Sequence, residues 1–139
     1  MGGKIGKIVG GDAKKGQQLI NRFLSNMSSL RVLRNKVQDA SQKGLIRGLD
    51  GRLLYIRSSH SALNTLIQSA GAIVCKYWLI EIMSQIKQTR TDAKLVASIH
   101  DEYQFEVHNK DLTIFGQIVK EAMTNTQKKL KINCQLDCE

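Results

Sequence analysis

The 139 residues fit one domain or one piece of a larger one, and a hydrophobic content of 42% excludes wholesale disorder. Lys and Arg outnumber Asp and Glu by 21 to 12, a formal net charge of +9. Such an excess points to a polyanionic partner, either nucleic acid or an anionic membrane face, unless it serves solubility alone.

Proline is absent and aromatics are 5%, so long helices with a few strands are expected. The start, MGGKIGKIVGG, has no apolar region of a signal peptide. Its glycines make it read as loose, and no GK[ST] follows to make a phosphate loop. Asp12 can cap a helix to about Met27, with Leu19, Ile20, Phe23, Leu24 and Met27 on one face. Ser28 or Ser29 can cap a second helix that buries Leu30, Leu33, Val37 and Ala40. Asp50-Gly51 is a hairpin turn signal between Leu45-Ile46 and residues 53–56. Ser58 or Ser59 then opens a long helix to about Lys87. Its apolar run, 70–83, is broken by Lys76 and Glu81 and reads as a buried helix, too short and charged to span a bilayer. Two short strands follow, 95–99 and 103–107. Asp111 can cap a helix to about Lys129, and 132–136 reads as a last strand. The fold class is α+β with antiparallel hairpins. Cys75, Cys134 and Cys138 are odd in number and lack the neighbours of a zinc site, so reduced cytoplasmic thiols are expected.

Two groups of residues carry chemistry. The first is His100-Asp101-Glu102, a histidine and two carboxylates where two apolar strands would ordinarily be joined by Gly or Asn. A tight turn holds its side chains rigidly, and carboxylate oxygens suit Mg²⁺. A solvated acidic turn would look the same by spacing alone. The second is a polar stripe, Arg57, His60, Asn64 and Gln68, spaced for one face of the long helix. Such donors suit base edges and sugar oxygens in a minor groove. An ordinary solvent face would carry Lys and Glu, and between Ser58 and Cys75 there are none.

Together these residues resemble the family A DNA polymerases, the superfamily of bacterial DNA polymerase I, and most of all the replicative polymerases of the T-odd phages. The resemblance rests on KIGKIVGG at 4–11, GLDGRLLYIRSSHSALNTLIQSAGAIVCKYW at 48–78 and HDEYQFEV at 100–107, in the family's order. It implies a polymerase palm with long packed helices: a helical part of the fingers at 1–44 and the C-terminal palm, with motif C, at 45–139. It implies that Asp101 is an essential metal-ligand aspartate and that Glu102 has a lesser supporting role. Two Mg²⁺ ions would serve the complete enzyme. His100 matches a residue at the primer terminus, and Gln68 and Asn64 match contacts to the template–primer minor groove. His60 stands where the phage branch has histidine and the bacterial branch arginine; Arg57 is the loosest match.

The family's other metal-ligand aspartate and its nucleotide-binding helix belong upstream of the position matching Met1. The resemblance therefore implies an N-terminal polymerase fragment acting in trans, with primer–template DNA and deoxynucleoside triphosphates as the other partners and no membrane. The expected compartment is the cytoplasm of a phage-infected bacterium. Without such a fragment, the faces of Tyr77, Trp78, Ile80 and Ile82 are expected to lack some of their cover. The alternative is a non-catalytic DNA-binding remnant of an interrupted polymerase gene. A single-subunit RNA polymerase, whose matching motif reads HDS, is opposed by Glu102 and by Asn64 with Gln68. A standalone nuclease would need more clustered carboxylates.

Overall fold

Asp12 stands just before an amphipathic run, and its Oδ1 accepts the Lys15 backbone N–H at 2.8 Å, opening helix α2, Ala13–Asn26. In the computed structural model, which describes residues 2–138, the chain divides into two units. The first comprises Met1–Ile46 with Tyr55–Leu63, and the second Arg47–Leu54 with Asn64–Glu139.

In the first unit the glycine-rich start is a packed helix, α1 (Gly2–Ile8), where looseness was expected. Its end is closed by Gly10 at φ 66°, with Gly11 N–H on the Gly6 carbonyl at 2.8 Å and Gly10 N–H on Lys7. Glycine is needed here for closeness as well. A Cβ on Gly16 of α2 would overlap the Gly2 carbonyl oxygen, and one on Gly6 would overlap that of Asp12. Helix α3 (Ser28–Ser41) follows with Met27 at its N-cap and no side-chain cap, so neither Ser28 nor Ser29 caps it; Ser28 is already helical. Val37 and Ser41 are its buried residues. Ile5, Leu19, Ile20, Leu24 and Leu30 line an apolar cleft of about 410 Å³ within this unit.

Strands β1 (Leu45–Arg47) and β2 (Leu53–Tyr55) form a two-stranded sheet. Gly51, at φ 84°, supplies the left-handed backbone the turn requires. Beside it Arg52 donates from Nε and Nη2 to the Asp50 carboxylate, at 3.0 and 2.7 Å, and holds that carboxyl below its usual range. A 3-10 turn, Ser59–Ser61, precedes helix α4 (Ala62–Thr89), with Ser58 at the turn's N-cap position but making no side-chain cap bond.

In the second unit α4 is followed by β3 (Ala93–Ile99), β4 (Glu102–Val107) and α5 (Leu112–Lys129). The core joins Ile82 and Ile86 of α4, Ala93 of β3, and Ile118 and Ala122 of α5, with Trp78, Phe105 and Phe115 packed against it. Full burial of a side chain such as Ile82 contributes about 1.5–3 kcal/mol. Trp78 donates its Nε1–H to the Val119 carbonyl at 3.0 Å, tying α4 to α5 while satisfying a half-buried donor.

Five expectations are corrected. Residues 132–136 form no strand; α5 instead ends in a left-handed Lys131, φ 53°, with Ile132 N–H turned back to Gln127 at 3.1 Å. Asp111 does not cap α5, because its Oδ2 accepts the Asp92 backbone N–H at 2.9 Å. The long helix is not buried all round: Ile67 and Ile80 are 53% and 61% exposed. By length and composition alone the helical stretch Ser59–Thr89 could cross a membrane, although 70–83 was read as too short. Finally, Trp78 and Ile82 do not lack cover: Ile82 is 1% exposed, Trp78 packs on the core, and Lys129 lies over the Tyr77 ring at 5.1 Å. Only Ile80 of that set is exposed.

Two stability outcomes follow. Gly16→Ala should cost about 1–3 kcal/mol through overpacking, read as loss of amide-exchange protection in α1 and α2; unchanged protection would contradict the close approach. Thr126 is 1% exposed, and its Oγ1 has no hydrogen-bond partner among the described residues. Thr126→Val should therefore stabilise the chain by about 1 kcal/mol, and a lower urea midpoint would contradict this.

Candidate active site on the second unit

The β3–β4 hairpin has an irregular register that decides where its tip points. Ala93 pairs with Val107 and Leu95 with Phe105, but Ala97 pairs with Gln104, so Val96 is an extra residue on β3. Directly opposed residues of antiparallel strands share a face. Tyr103, Phe105 and Val107 therefore alternate toward the core, and beyond the bulge the exposed Ser98 shares the face of Tyr103. Glu102 pairs with Ile99 on the other face, where its Oε1 accepts from Gln104 Nε2 at 3.0 Å.

The Ile99–Glu102 pair leaves a two-residue tip, His100 and Asp101, so Glu102 belongs to β4 rather than to the turn. His100 takes φ 55°. Left-handed backbone at a non-glycine residue costs about 1 kcal/mol or more, and such positions cluster at functional sites.

The bed beneath this hairpin is one face of α4. At about 100° per residue, Asn64, Gln68, Cys75, Trp78, Ile82 and Ile86 fall within roughly 80° of one another. The C-terminal part of that face is covered: Trp78 packs against Tyr103 with ring centroids 5.7 Å apart and planes tilted by 54°, and Ile82 and Ile86 are buried. The N-terminal part is not: Asn64, Gln68 and Gly71 are exposed. Cys75 marks the boundary. Burial pushes its thiol pKa up, and the Asp101 carboxylate pushes it further, so Asp101 lies within electrostatic reach of this point of α4. Burial likewise raises Tyr103, with Cys75 adding to the effect. Gln68 lies two turns, about 10 Å, further along the helix from Cys75.

The tip thus places an exposed carboxylate, Asp101, and an exposed imidazole, His100, where the covered face of α4 gives way to an open one bearing two amides. Carboxylate oxygen is the right donor for Mg²⁺. The donor set is nevertheless incomplete for a metal centre. Glu102 leaves the hairpin on the face away from the core, and no three His, Cys, Asp or Glu side chains converge among the described residues. The side chains present fit one ligand of such a centre and not the whole of it.

Arg57 and His60 both belong to the first unit, Arg57 in a bend and His60 in the 3-10 turn, so the expected four-residue stripe is helical only at Asn64 and Gln68. Sequence reading missed Cys75, although its spacing of seven residues from Gln68 would have placed it on the same face. It also missed the bulge at Val96, which a run of small and apolar residues does not announce.

A family model described as DNA polymerase family A matches residues 3–139. The DNA-directed DNA polymerase of Enterobacteria phage T3 is 34% identical, over 98% of this chain and 22% of that protein. That of Escherichia phage T7 is 33% identical with the same coverage, and DNA polymerase I of Bacillus subtilis is 27% identical over 86% of this chain and 15% of its own length. Among solved structures, the POL domain of Pol1 from M. smegmatis, in complex with DNA primer–template and dNTP, superposes with a TM-score of 0.78. At 22% identity, over 86% of this chain and 24% of that one, it shows the same fold. The chain spans about a fifth of the length of the phage relatives. With the family model matched from residue 3 to residue 139, the chain belongs to DNA polymerase family A.

Proposed function

We propose that this chain is the C-terminal palm part of a DNA-directed DNA polymerase, with residues 1–44 as a helical part of the fingers and 45–139 as palm. It takes part in template-directed nucleotidyl transfer once the N-terminal polymerase portion is supplied in trans. The observation that carries this reading is Asp101 at a two-residue hairpin tip beside the open, amide-bearing face of α4. Two Mg²⁺ ions, when bound in such a centre, activate the primer hydroxyl and steady the leaving phosphate.

Asp101 would provide one carboxylate ligand from the tip. Glu102, on the other face of the hairpin and engaged by Gln104, fits a supporting role. His100 would meet the primer terminus. The side-chain amides of Gln68 and Asn64 would donate to minor-groove acceptors. A·T and T·A pairs look alike there, so such contacts test base-pair geometry and not sequence, as a polymerase requires. His60 and Arg57 would make primer–template contacts of their own on the first unit. The incomplete ligand set also supports a second reading, a non-catalytic DNA-binding remnant.

Primer extension with Mg²⁺ separates the two. The chain alone should incorporate no nucleotide, and activity should appear on mixing with a polypeptide carrying the upstream palm and fingers. A mixture that stays inactive, with both parts folded, would favour the remnant. In an active mixture Asp101→Ala should lower the rate by roughly a hundredfold or more, the scale of losing several kcal/mol of charge stabilisation. Glu102→Ala should leave a measurable part. Gln68→Ala should slow extension without changing the melting temperature. An Asp101→Ala mixture as active as the parent would sink the ligand assignment.

A further inference from the structure

The excess positive charge is not spread over the chain. The first unit holds ten Lys and Arg against two Asp, a formal +8, while the second holds eleven against ten acidic residues, +1 of the total +9. We propose that the first unit, through the outer faces of α2 and α3, is the surface by which this chain grips the phosphate backbone of primer–template DNA. The inference rests on the polymerase reading and adds to it a surface outside the Asp101 site.

The cations of the first unit are available. All but the half-buried Arg34 are exposed, and among the described residues the ion pair is Arg52–Asp50, which lies in the second unit. One of the two acids, Asp12, is engaged in capping α2. Helix α2 contains no Asp or Glu at all. At about 100° per residue its Lys14, Gln18, Arg22 and Ser25 fall within roughly 80°, on the side away from Ile20 and Phe23. A helix face that merely meets water usually mixes signs in i, i+4 pairs, and the second unit has that balance. Here cations alternate with neutral donors, the mixture that binds phosphate and sugar oxygens.

The spacing also fits. Lys14 and Arg22 are eight residues apart, about 12 Å along the axis, a length over which duplex DNA presents roughly seven charges. Mutual repulsion among uncompensated cations is a cost that a polyanion removes. An anionic lipid surface would take up the apolar face of α2; there Ile20 and Leu24 are half-buried, lining the cleft with Ile5 and Leu30, while Leu19 and Phe23 are exposed, so the titration includes a lipid arm.

The test is fluorescence-anisotropy titration of labelled primer–template with the full chain at several salt concentrations. Each phosphate contact contributes about −0.9 to the slope of log K against log salt. The triple variant Lys14→Gln, Lys15→Gln, Arg22→Gln should shallow the slope by roughly 2–3. Arg31→Gln with Lys36→Gln on α3 should shallow it by roughly 1–2, and this second variant decides the matter if the first does not fold. Lys87→Gln, Lys120→Gln, Lys128→Gln in the second unit should leave the slope nearly unchanged. Equal or larger losses from the second-unit variant would overturn the proposal. So would a parent chain that binds phosphatidylserine vesicles and not DNA. Primer extension by the reconstituted mixture stands apart from these slopes, so failure of the grip and failure of the polymerase reading are distinguishable.

Discussion

One face of α4 does two things along its length, and the arrangement of the second unit depends on the point where it changes. Toward the C-terminus Trp78, Ile82 and Ile86 bed the β3–β4 hairpin, with Tyr103 on Trp78 and the indole N–H fixed to Val119 of α5. Toward the N-terminus the same face is bare, because the hairpin is too short to cover it. The Asp101 carboxylate acts electrostatically on the Cys75 thiol at that boundary, and Gln68 and Asn64 lie on the open face beyond it. A longer hairpin would bury the amides; a hairpin one residue out of register would turn the wrong side chains inward.

The bulge at Val96 is the second constraint. Without it Ala97 and Ile99 would alternate toward the core, and the tip would leave the sheet rotated. Glu102 takes the outer face whether or not β3 is bulged, because β4 alternates without interruption and Tyr103, Phe105 and Val107 take the inner one. The positive φ of His100 belongs to the same economy of length, since a two-residue tip needs left-handed backbone and no glycine is present to supply it.

Much of this was legible beforehand. The amphipathic period of α2 and its Asp12 cap, the Asp50-Gly51 turn, and the apolar runs flanking His100 and Asp101 are local signals, and each element stands close to where its residues place it. What was not legible depends on partners distant in the chain. Asp111 is drawn from capping α5 by the Asp92 N–H, nineteen residues away. The glycines of α1 look like looseness until α2 lies against them. The bulge is invisible in composition because Val96 is as strand-like as its neighbours. The polar stripe failed at Arg57 and His60 because helical spacing was extended through residues that form a bend and a 3-10 turn.

The account stands or falls on the side of the hairpin toward which a bound cation sits. Mn²⁺ added to a mixture of this chain, a polypeptide carrying the upstream palm and fingers, and primer–template DNA would broaden the amide signals nearest to where it binds, and that broadening can be mapped. The account predicts that His100, Asp101 and Cys75 broaden together, with Gln104 and Glu106 of the outer face much less affected. Broadening centred on Glu102, Gln104 and Glu106, with Cys75 untouched, would contradict it.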